Sequence, residues 1–300
     1  MISRRSLIKL TAASVTVAAS GCTPEAVDAL LDWVFPGLDD LELGELQFAW
    51  DRDGNLYEIR SSSHTVARVT NAGDELWTIG GEGVEEDGLN YPVSVASTAN
   101  QQVLVVERGG DRLSVYDDSG TFLRFVGEPG SSEGQLMGAT DAVVDAEGRI
   151  FVADSQNHRV QVFDADGAHL WSFGRAGTDA DALDSPRSLA FDGEGYLHIV
   201  DPPNARVQVF TPGGSFVRSY GTPGTGDGEL QSPRSVSIDP LGNAWVADPL
   251  GRAVQVYDPS GAHLVRFANL KVGDLEVQPL RAALTPDGTF YVHVNLVRAE

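Results

Sequence analysis

The 300-residue chain has one cysteine, Cys22, and only two lysines, Lys9 and Lys271. A single cysteine excludes a disulfide within the chain. Positive charge is also scarce, because 43 acidic residues face 21 basic ones and the formal net charge is −22. A protein that binds nucleic acid needs a positive surface to displace counterions from the phosphates, so the composition argues against nucleic acid as a partner.

Several common motifs are missing as well. No apolar run is long enough to span a membrane as a helix. The glycine-rich stretches GEPGSSEG and GTPGTGDGEL do not open a helix with a lysine that could hold phosphate. There is no nucleophile elbow and no dinucleotide-binding fingerprint. The sequence therefore offers no motif for nucleotide binding or for a serine nucleophile.

The first 22 residues have the character of an export signal. Arg4 and Arg5 lie before a short, mildly apolar stretch and resemble a twin-arginine signal. The stretch ends in the letters ASGC, which resemble a lipoprotein cleavage box with Cys22 as the lipidated residue. An ordinary cleavage site beside an unmodified cysteine is the alternative. We predict a signal peptide over residues 1–22, export to the outer side of the cell membrane, the periplasm or the outer membrane, and a lipid anchor at Cys22.

From residue 45 onward one pattern recurs. The stretch Gly148–Phe163, GRIFVADSQNHRVQVF, reads as two short β-strands joined by a turn. It recurs every 47 residues, with a last step of 46. The opening positions of the six copies are Gly54, Gln101, Gly148, Gly195, Gly242 and Gly288. A glycine that closes the last strand recurs at the same step, at Gly80, Gly127, Gly174 and Gly221.

A repeat of 46–47 residues that holds four strands is typical of a β-propeller. The strands predicted for one repeat are Ser188–Asp192, Tyr196–Asp201, Arg206–Phe210 and Ser215–Tyr220. Six copies predict an all-β, six-bladed β-propeller over residues 45–300. The sixth copy reaches Glu300 where its third strand would begin, so we expect residues 23–44 to complete it, with Trp33–Phe35 as the candidate outer strand.

Three segments carry a resemblance to a known family. The sequences DSQNHRVQVF, DPPNARVQVF and GELQSPRSVSID resemble NHL repeats, and the resemblance extends over about residues 46–294. It implies a six-bladed propeller that usually serves as a binding platform. It also implies some enzymatic relatives, among them a zinc-dependent amidating lyase.

Two groups of side chains with chemical potential are interpreted as structural. The six histidines fall on different strands, whereas a zinc site needs ligands that converge on one point. The recurring acids Glu107, Asp154, Asp201 and Asp248 each end a second strand. They are either a ring of carboxylates for calcium or acid catalysis, or acceptors for backbone N–H groups and a nearby arginine in every blade. We favour the second interpretation and predict no catalytic residue, no metal site and no cofactor.

A group of arginines is the strongest candidate for a binding site. Arg187, Arg234 and Arg281 are assigned to one repeat position, just before the innermost strand, where the other copies carry Leu46, Val93 and Thr140. This position lies at the predicted mouth of the central channel. Guanidiniums placed close together repel one another and favour an anionic ligand, with Ser188 and Ser235 as further hydrogen-bonding groups. The alternative is a self-contained charge network with Asp181, Asp184 and Glu229.

These observations predict a binding or scaffolding module in the cell envelope rather than an enzyme. Its partner would be another envelope protein, a peptide or an anionic glycan. The alternative function is a lyase- or lactonase-type enzyme with a metal ion at the central channel.

Overall fold

A computed structural model describes residues 46–50, 56–70, 74–81, 88–268, 271–272, 275–284 and 290–296. The predicted signal peptide, residues 1–22, and the predicted closing segment, residues 23–44, lie outside the described residues.

Five four-stranded antiparallel sheets follow one another along the described chain, and we call them blades 1 to 5. Blade 1 contains β1 (Leu46–Trp50), β2 (Leu56–Arg60), β3 (Thr65–Val69) and β4 (Glu75–Gly80). Blade 2 contains β5 (Pro92–Ser97), β6 (Val103–Glu107), β7 (Arg112–Tyr116) and β8 (Phe122–Val126). The bridge between blades 2 and 3 holds two short parallel strands, β9 (Glu128–Pro129) and β10 (Gln135–Leu136).

The same plan continues to the end of the described chain. Blade 3 contains β11 (Ala139–Val144), β12 (Ile150–Asp154), β13 (Arg159–Phe163) and β14 (His169–Phe173). Blade 4 contains β15 (Leu189–Phe191), β16 (Leu197–Asp201), β17 (Arg206–Phe210) and β18 (Phe216–Tyr220). A second parallel pair follows, β19 (Thr222–Pro223) and β20 (Glu229–Leu230). Blade 5 contains β21 (Ser235–Ile238), β22 (Ala244–Asp248), β23 (Ala253–Tyr257) and β24 (His263–Ala268).

The sixth repeat contributes a smaller sheet. Its strands are β25 (Lys271–Val272), β26 (Leu275–Leu284) and β27 (Phe290–Leu296). Strand β26 pairs with β27 and lies against β21 and β22 of blade 5. The described residues therefore form a β-propeller with five complete blades and a partial sixth, and the count of six complete blades stays a prediction.

Contacts between neighbouring blades show which strands are innermost. The first strands β5, β11, β15, β21 and β26 contact one another in succession, so they lie around the central axis. Apolar side chains fill the layers between blades; Phe151, Leu197 and Phe210, for example, belong to one buried cluster between blades 3 and 4. Blades bury both of their faces in this way, which explains why every residue of the second strands β6, β12 and β16 is buried.

The predicted strands of blade 4 match the structure closely. Strand β17 has the predicted bounds, and the other strands of the blade begin and end within one residue of the predicted positions. Short 3-10 turns connect second to third strands at Ser61–Ser63, Ser155–Asn157 and Pro202–Asn204. Because the strands alternate in direction, these turns, the bridges between blades and the beginnings of the first strands all lie on one face of the disc. We call it the loop face.

The glycine that closes each blade has a specific steric role. Gly127, Gly174 and Gly221 have φ angles of 77°, 92° and 81°. A Cβ atom at any of them would collide with a leucine nine residues further along, Leu136 for Gly127 and Leu183 for Gly174. That leucine is fully buried in the layer between blades. The repeated glycine therefore marks the point at which the chain turns sharply toward the next blade, in contact with the buried leucine.

Candidate functional site

Arg187 and Arg234 lie where the sequence places them, at the beginnings of the first strands on the loop face. The Arg187 N–H donates to the Val200 carbonyl at 3.0 Å, and the Arg234 N–H donates to the Ala247 carbonyl at 2.8 Å. Each arginine is thereby tied to the second strand of its own blade. These two hydrogen bonds fix the backbone of both arginines relative to their sheets.

Both arginines line one cavity of about 290 Å³ between the turns of blades 4 and 5 and the start of β26. We call it the arginine cavity. Its remaining lining residues are Pro202, Ser232, Pro233, Pro249, Leu250 and Gln278. The repeat pattern identified the two arginines but not these turn residues, because it does not show which turns of neighbouring blades meet at one cavity.

Arg281 lies in β26, but one residue away from its predicted repeat position. The residue pairs at this point of the ladder are Asp141 with Ala153, Ser235 with Ala247 and Arg281 with His293. Arg281 therefore occupies the register position of Ser235, and Leu280 occupies that of Arg234. The assignment of Arg281 to the position of Arg187 and Arg234 is wrong by one residue, because the last repeat step is 46 residues rather than 47. The structure describes the backbone of Arg281 but not its side chain.

Ser188 and Ser235 are buried beside the arginines and link blades together. The Ser188 Oγ accepts from the N–H of Val236, and the Ser235 Oγ accepts from the N–H of Ala282, each at 3.4 Å. Ser188 directly precedes the first strand of blade 4 and Ser235 begins that of blade 5, and each donor belongs to the first strand of the next repeat. The two hydroxyls predicted to bind a ligand therefore accept hydrogen bonds from neighbouring blades near the central axis.

Asp141 holds the equivalent position in blade 3 and was missed by the sequence analysis. Its Oδ1 accepts from the Ser94 hydroxyl at 2.6 Å, and its Oδ2 accepts from the Leu189 N–H at 2.9 Å. This carboxylate thus joins blades 2, 3 and 4 at the axis, and only 4% of the residue is exposed. Blades 2, 4 and 5 carry Ser94, Ser188 and Ser235 at this repeat position, so the carboxylate at position 141 was the available signal.

The positive charges near Arg187 disfavour its charged form. Burial, with the nearby positive charges of Arg234 and Arg108, lowers the pKa of Arg187 to about 10, and the Asp141 carboxylate opposes this shift. At neutral pH the guanidinium still carries its charge. Among the residues that the structure describes, it makes no side-chain hydrogen bond or ion pair. An anion in the cavity would relieve this repulsion.

Arg108 was missed because it belongs to a different part of the repeat. It follows β6, at the position that Pro202 and Pro249 occupy in blades 4 and 5. Those two prolines line the arginine cavity, and Arg108 is close enough to influence Arg187 electrostatically. Arginine side chains from blades 2, 4 and 5 therefore act on one region of the loop face.

The acids proposed as partners of the arginines are engaged elsewhere. Asp181 pairs with Arg175 at 2.9 Å, and Asp184 lies 3.1 Å from the Nδ1 of His158. The Glu229 carboxylate accepts from the Gly226 N–H at 2.8 Å. In the described part of the chain, none of these three acids is paired with Arg187.

The recurring acids at the ends of the second strands have the structural role that was favoured. Asp154 is fully buried and accepts from the Met137 N–H at 2.7 Å, from the Asn157 amide, from the Arg159 Nε at 2.7 Å and from the Gln161 amide. Asp201 has the same arrangement one blade on. These carboxylates fix each bridge to the turn of the following blade, and their oxygens are occupied by protein donors.

Three of the described histidines, His64, His158 and His198, are also held by structural contacts. The Nδ1 of His64 accepts from the Tyr91 N–H at 3.0 Å, and that of His158 accepts from the Ser185 N–H at 3.2 Å. His198 is buried between Asp192 and Tyr220. Within the described ranges, no three His, Cys, Asp or Glu side chains are grouped so that they could hold a metal ion. The same part of the chain contains no helix long and apolar enough to cross a membrane.

Comparison with known sequences supports the repeat. Residues 136–163, which run from the bridge before blade 3 to the end of β13, match the family model described as NHL repeat. No curated protein matches the chain by sequence.

Solved structures share the fold at low identity. A streptogramin B lyase is similar with a TM-score of 0.64 and 12% identity, over 87% of this chain and 81% of that chain. A gluconolactonase from Xanthomonas campestris gives 0.60 and 16%, over 85% and 87%. A chain of a nidogen/laminin complex gives 0.58 and 21%, over 74% and 79%. At these identities the likeness shows the fold alone, and with the matched repeat it supports an NHL-type β-propeller.

Proposed function

We propose that this protein is an exported, lipid-anchored binding module that holds an anionic ligand in the arginine cavity. The observation that carries the proposal is the state of Arg187. Its guanidinium is largely buried near two other arginines, and in the described part of the chain no carboxylate contacts it. A chain with 43 acidic residues has ample carboxylates for neutralising an arginine. A buried guanidinium that is kept without one, as at Arg187, favours an anion from outside the chain.

The surroundings support binding rather than catalysis. The carboxylates that recur near the loop face, such as Asp154 and Asp201, are fully buried and accept hydrogen bonds from their own blades. A general acid or base needs a carboxyl group that can reach a substrate. The histidines His64 and His158 accept hydrogen bonds from backbone N–H groups at the next blade. The arginine cavity therefore offers charge and shape, which are the requirements of a binding site.

The test is anion binding by matched variants. Arg187→Thr and Arg234→Val copy Thr140 and Val93, which hold this repeat position in blades 3 and 2. We expect the double variant to bind anions at least about tenfold more weakly by isothermal titration calorimetry, with acetate, citrate and inorganic phosphate as probes. Arg175→Ala is the control, because Arg175 is exposed on the neighbouring bridge and pairs with Asp179 and Asp181. Equal binding by the double variant and the wild type would overturn the proposal.

Metal analysis separates this function from the lyase or lactonase alternative. Both of those names describe proteins that share the propeller fold with this chain. The protein would be purified without chelator and without a histidine tag and analysed by mass spectrometry. A stoichiometric transition metal would favour the enzyme, whereas anion binding that depends on Arg187 in metal-free protein would favour the binding module.

A further inference from the structure

The arginine cavity is lined by apolar residues as well as by its two arginines. Pro202, Pro233, Pro249 and Leu250 supply apolar surface to the cavity that Arg187 and Arg234 also line. Proline has no backbone N–H, so three of the eight lining residues cannot donate a hydrogen bond at all. The lining thus combines two cationic residues with four apolar ones.

Leu250 stands out within this wall. It is 62% exposed, although it is a large apolar residue at the rim of a cavity. The corresponding positions in the other described blades carry Ser62, Gly109, Gln156 and Pro203. The turn itself therefore does not require a leucine. A ligand in the cavity would cover part of this side chain and remove apolar surface from water.

The volume of the cavity and the small number of hydrogen-bond donors in its lining narrow the class of ligand further. A volume of about 290 Å³ lies at the small end of ligand sites, which suits a small molecule better than a folded partner. Phosphate sites commonly use several backbone N–H donors, which a proline-rich wall lacks. A carboxylate needs fewer donors, and a guanidinium matches its planar shape.

We propose that the ligand is a small organic acid with one carboxylate on an apolar or aromatic body. The carboxylate lies against Arg187 and Arg234, and the body lies against Leu250 and the prolines. This inference rests on the proposed function and narrows it to a ligand class.

The experiment compares three probes by isothermal titration calorimetry: phenylacetate, inorganic phosphate and the uncharged 2-phenylethanol. We expect phenylacetate to bind most tightly. Leu250→Gln, which copies Gln156 of blade 3, should weaken phenylacetate about fivefold and leave phosphate unchanged. Leu250→Met should retain most of the affinity, because it keeps the apolar surface. Arg187→Thr should weaken phenylacetate at least about tenfold.

Leu264→Gln is the matched control. Leu264 is another exposed leucine, 50% accessible, but it lies on the outermost strand of blade 5, β24. We expect this variant to bind all three probes as the wild type does. Since Leu250 and Leu264 are both exposed, neither substitution removes core packing, and thermal unfolding of both variants should match the wild type.

The outcomes separate the two proposals. If phosphate binds as tightly as phenylacetate and Leu250→Gln affects neither probe, the ligand class is wrong while anion binding stands. If 2-phenylethanol binds as tightly as phenylacetate, the arginines contribute nothing and both proposals fail. Both also fail if no anion binds to the wild type.

Discussion

His198 lies buried in blade 4 with a polar partner on each ring nitrogen. Its Nε2 is 3.1 Å from the Asp192 carboxylate, and its Nδ1 is 2.8 Å from the Tyr220 hydroxyl. Burial lowers the pKa of His198, although Asp192 acts in the opposite direction. The neutral imidazole, donating from Nε2 and accepting at Nδ1, satisfies both partners. Blade 5 fills the same positions with Trp245, which donates to Asp239 at 3.0 Å, and Phe267, which stacks on its ring.

This difference between blades predicts a pH effect. Because the pKa of His198 is lowered on folding, its contribution to stability is complete above the ordinary histidine pKa of 6.5 and is lost as the pH falls below it. The double variant His198→Trp, Tyr220→Phe copies blade 5 into blade 4. The free energy of unfolding in urea would be compared at about pH 7.5 and about pH 5.5. We expect its fall between these pH values to be about 1 kcal/mol smaller in the double variant than in the wild type. An equal fall in both proteins would show that His198 does not titrate in this range.

At the scale of strands and turns, each second strand ends in a buried carboxylate that organises its surroundings. Asp201 accepts from the Asp184 N–H at 2.8 Å, from the Arg206 Nε at 2.8 Å and from the amides of Asn204 and Gln208. The first donor comes from the bridge that leads into blade 4, and the others come from the turn and third strand of that blade. One carboxylate therefore fixes the bridge, the turn and the third strand together.

Removing that carboxylate should be costly. Asp201→Ala removes the acceptor of the buried Gln208, of the half-buried Arg206 and Asn204 and of one backbone N–H, so we expect the free energy of unfolding to fall by about 3 kcal/mol. Chemical denaturation measures this fall. Asp166→Ala is the control, because Asp166 is exposed in a turn of blade 3, and it should change stability by less than about 0.5 kcal/mol. A similar result for both variants would mean that the network contributes little.

At the scale of the whole molecule, the formal charge of −22 makes the positive cavity on the loop face unusual. Long-range attraction brings cations to such a surface, so an anion needs local arginines for binding. Export is a further proposal for the whole molecule, and it depends on residues 1–22 alone. Neither charge nor export follows from the propeller fold, which is shared by proteins with different functions.

The lipid anchor gives a direct test of localisation. Cys22→Ser removes the proposed site of lipidation but keeps Arg4 and Arg5, so we expect the variant to be exported and to move from the membrane fraction to the soluble extracytoplasmic fraction. Replacing Arg4 and Arg5 with lysine should instead retain the protein in the cytoplasm. Fractionation with immunoblotting measures both results. A Cys22→Ser protein that stays with the membrane would contradict the anchor.

The sequence by itself determined the repeat, the strands and the structural acids. Strand positions are local properties of alternation and turn chemistry, and a 47-residue period repeats them, so β17 and the role of Asp154 could be predicted. Arg187 and Arg234 were found for the same reason. The sequence shows that the last step is 46 residues but not at which point of the repeat the residue is missing, and Arg281 was therefore assigned one residue away from its place in the ladder.

Only the tertiary structure decided which side chains share a site. Arg108 and Arg187 are 79 positions apart and belong to different parts of their repeats, yet the arrangement of the described blades around the axis brings their charges together. Leu250 and Pro202 lie in turns of separate blades and meet only at the arginine cavity. Asp181 and Arg187 are neighbours in sequence, but the bridge directs the acid to Arg175 instead. Local sequence sets the strands, whereas packing between blades sets the distances between side chains on which binding depends.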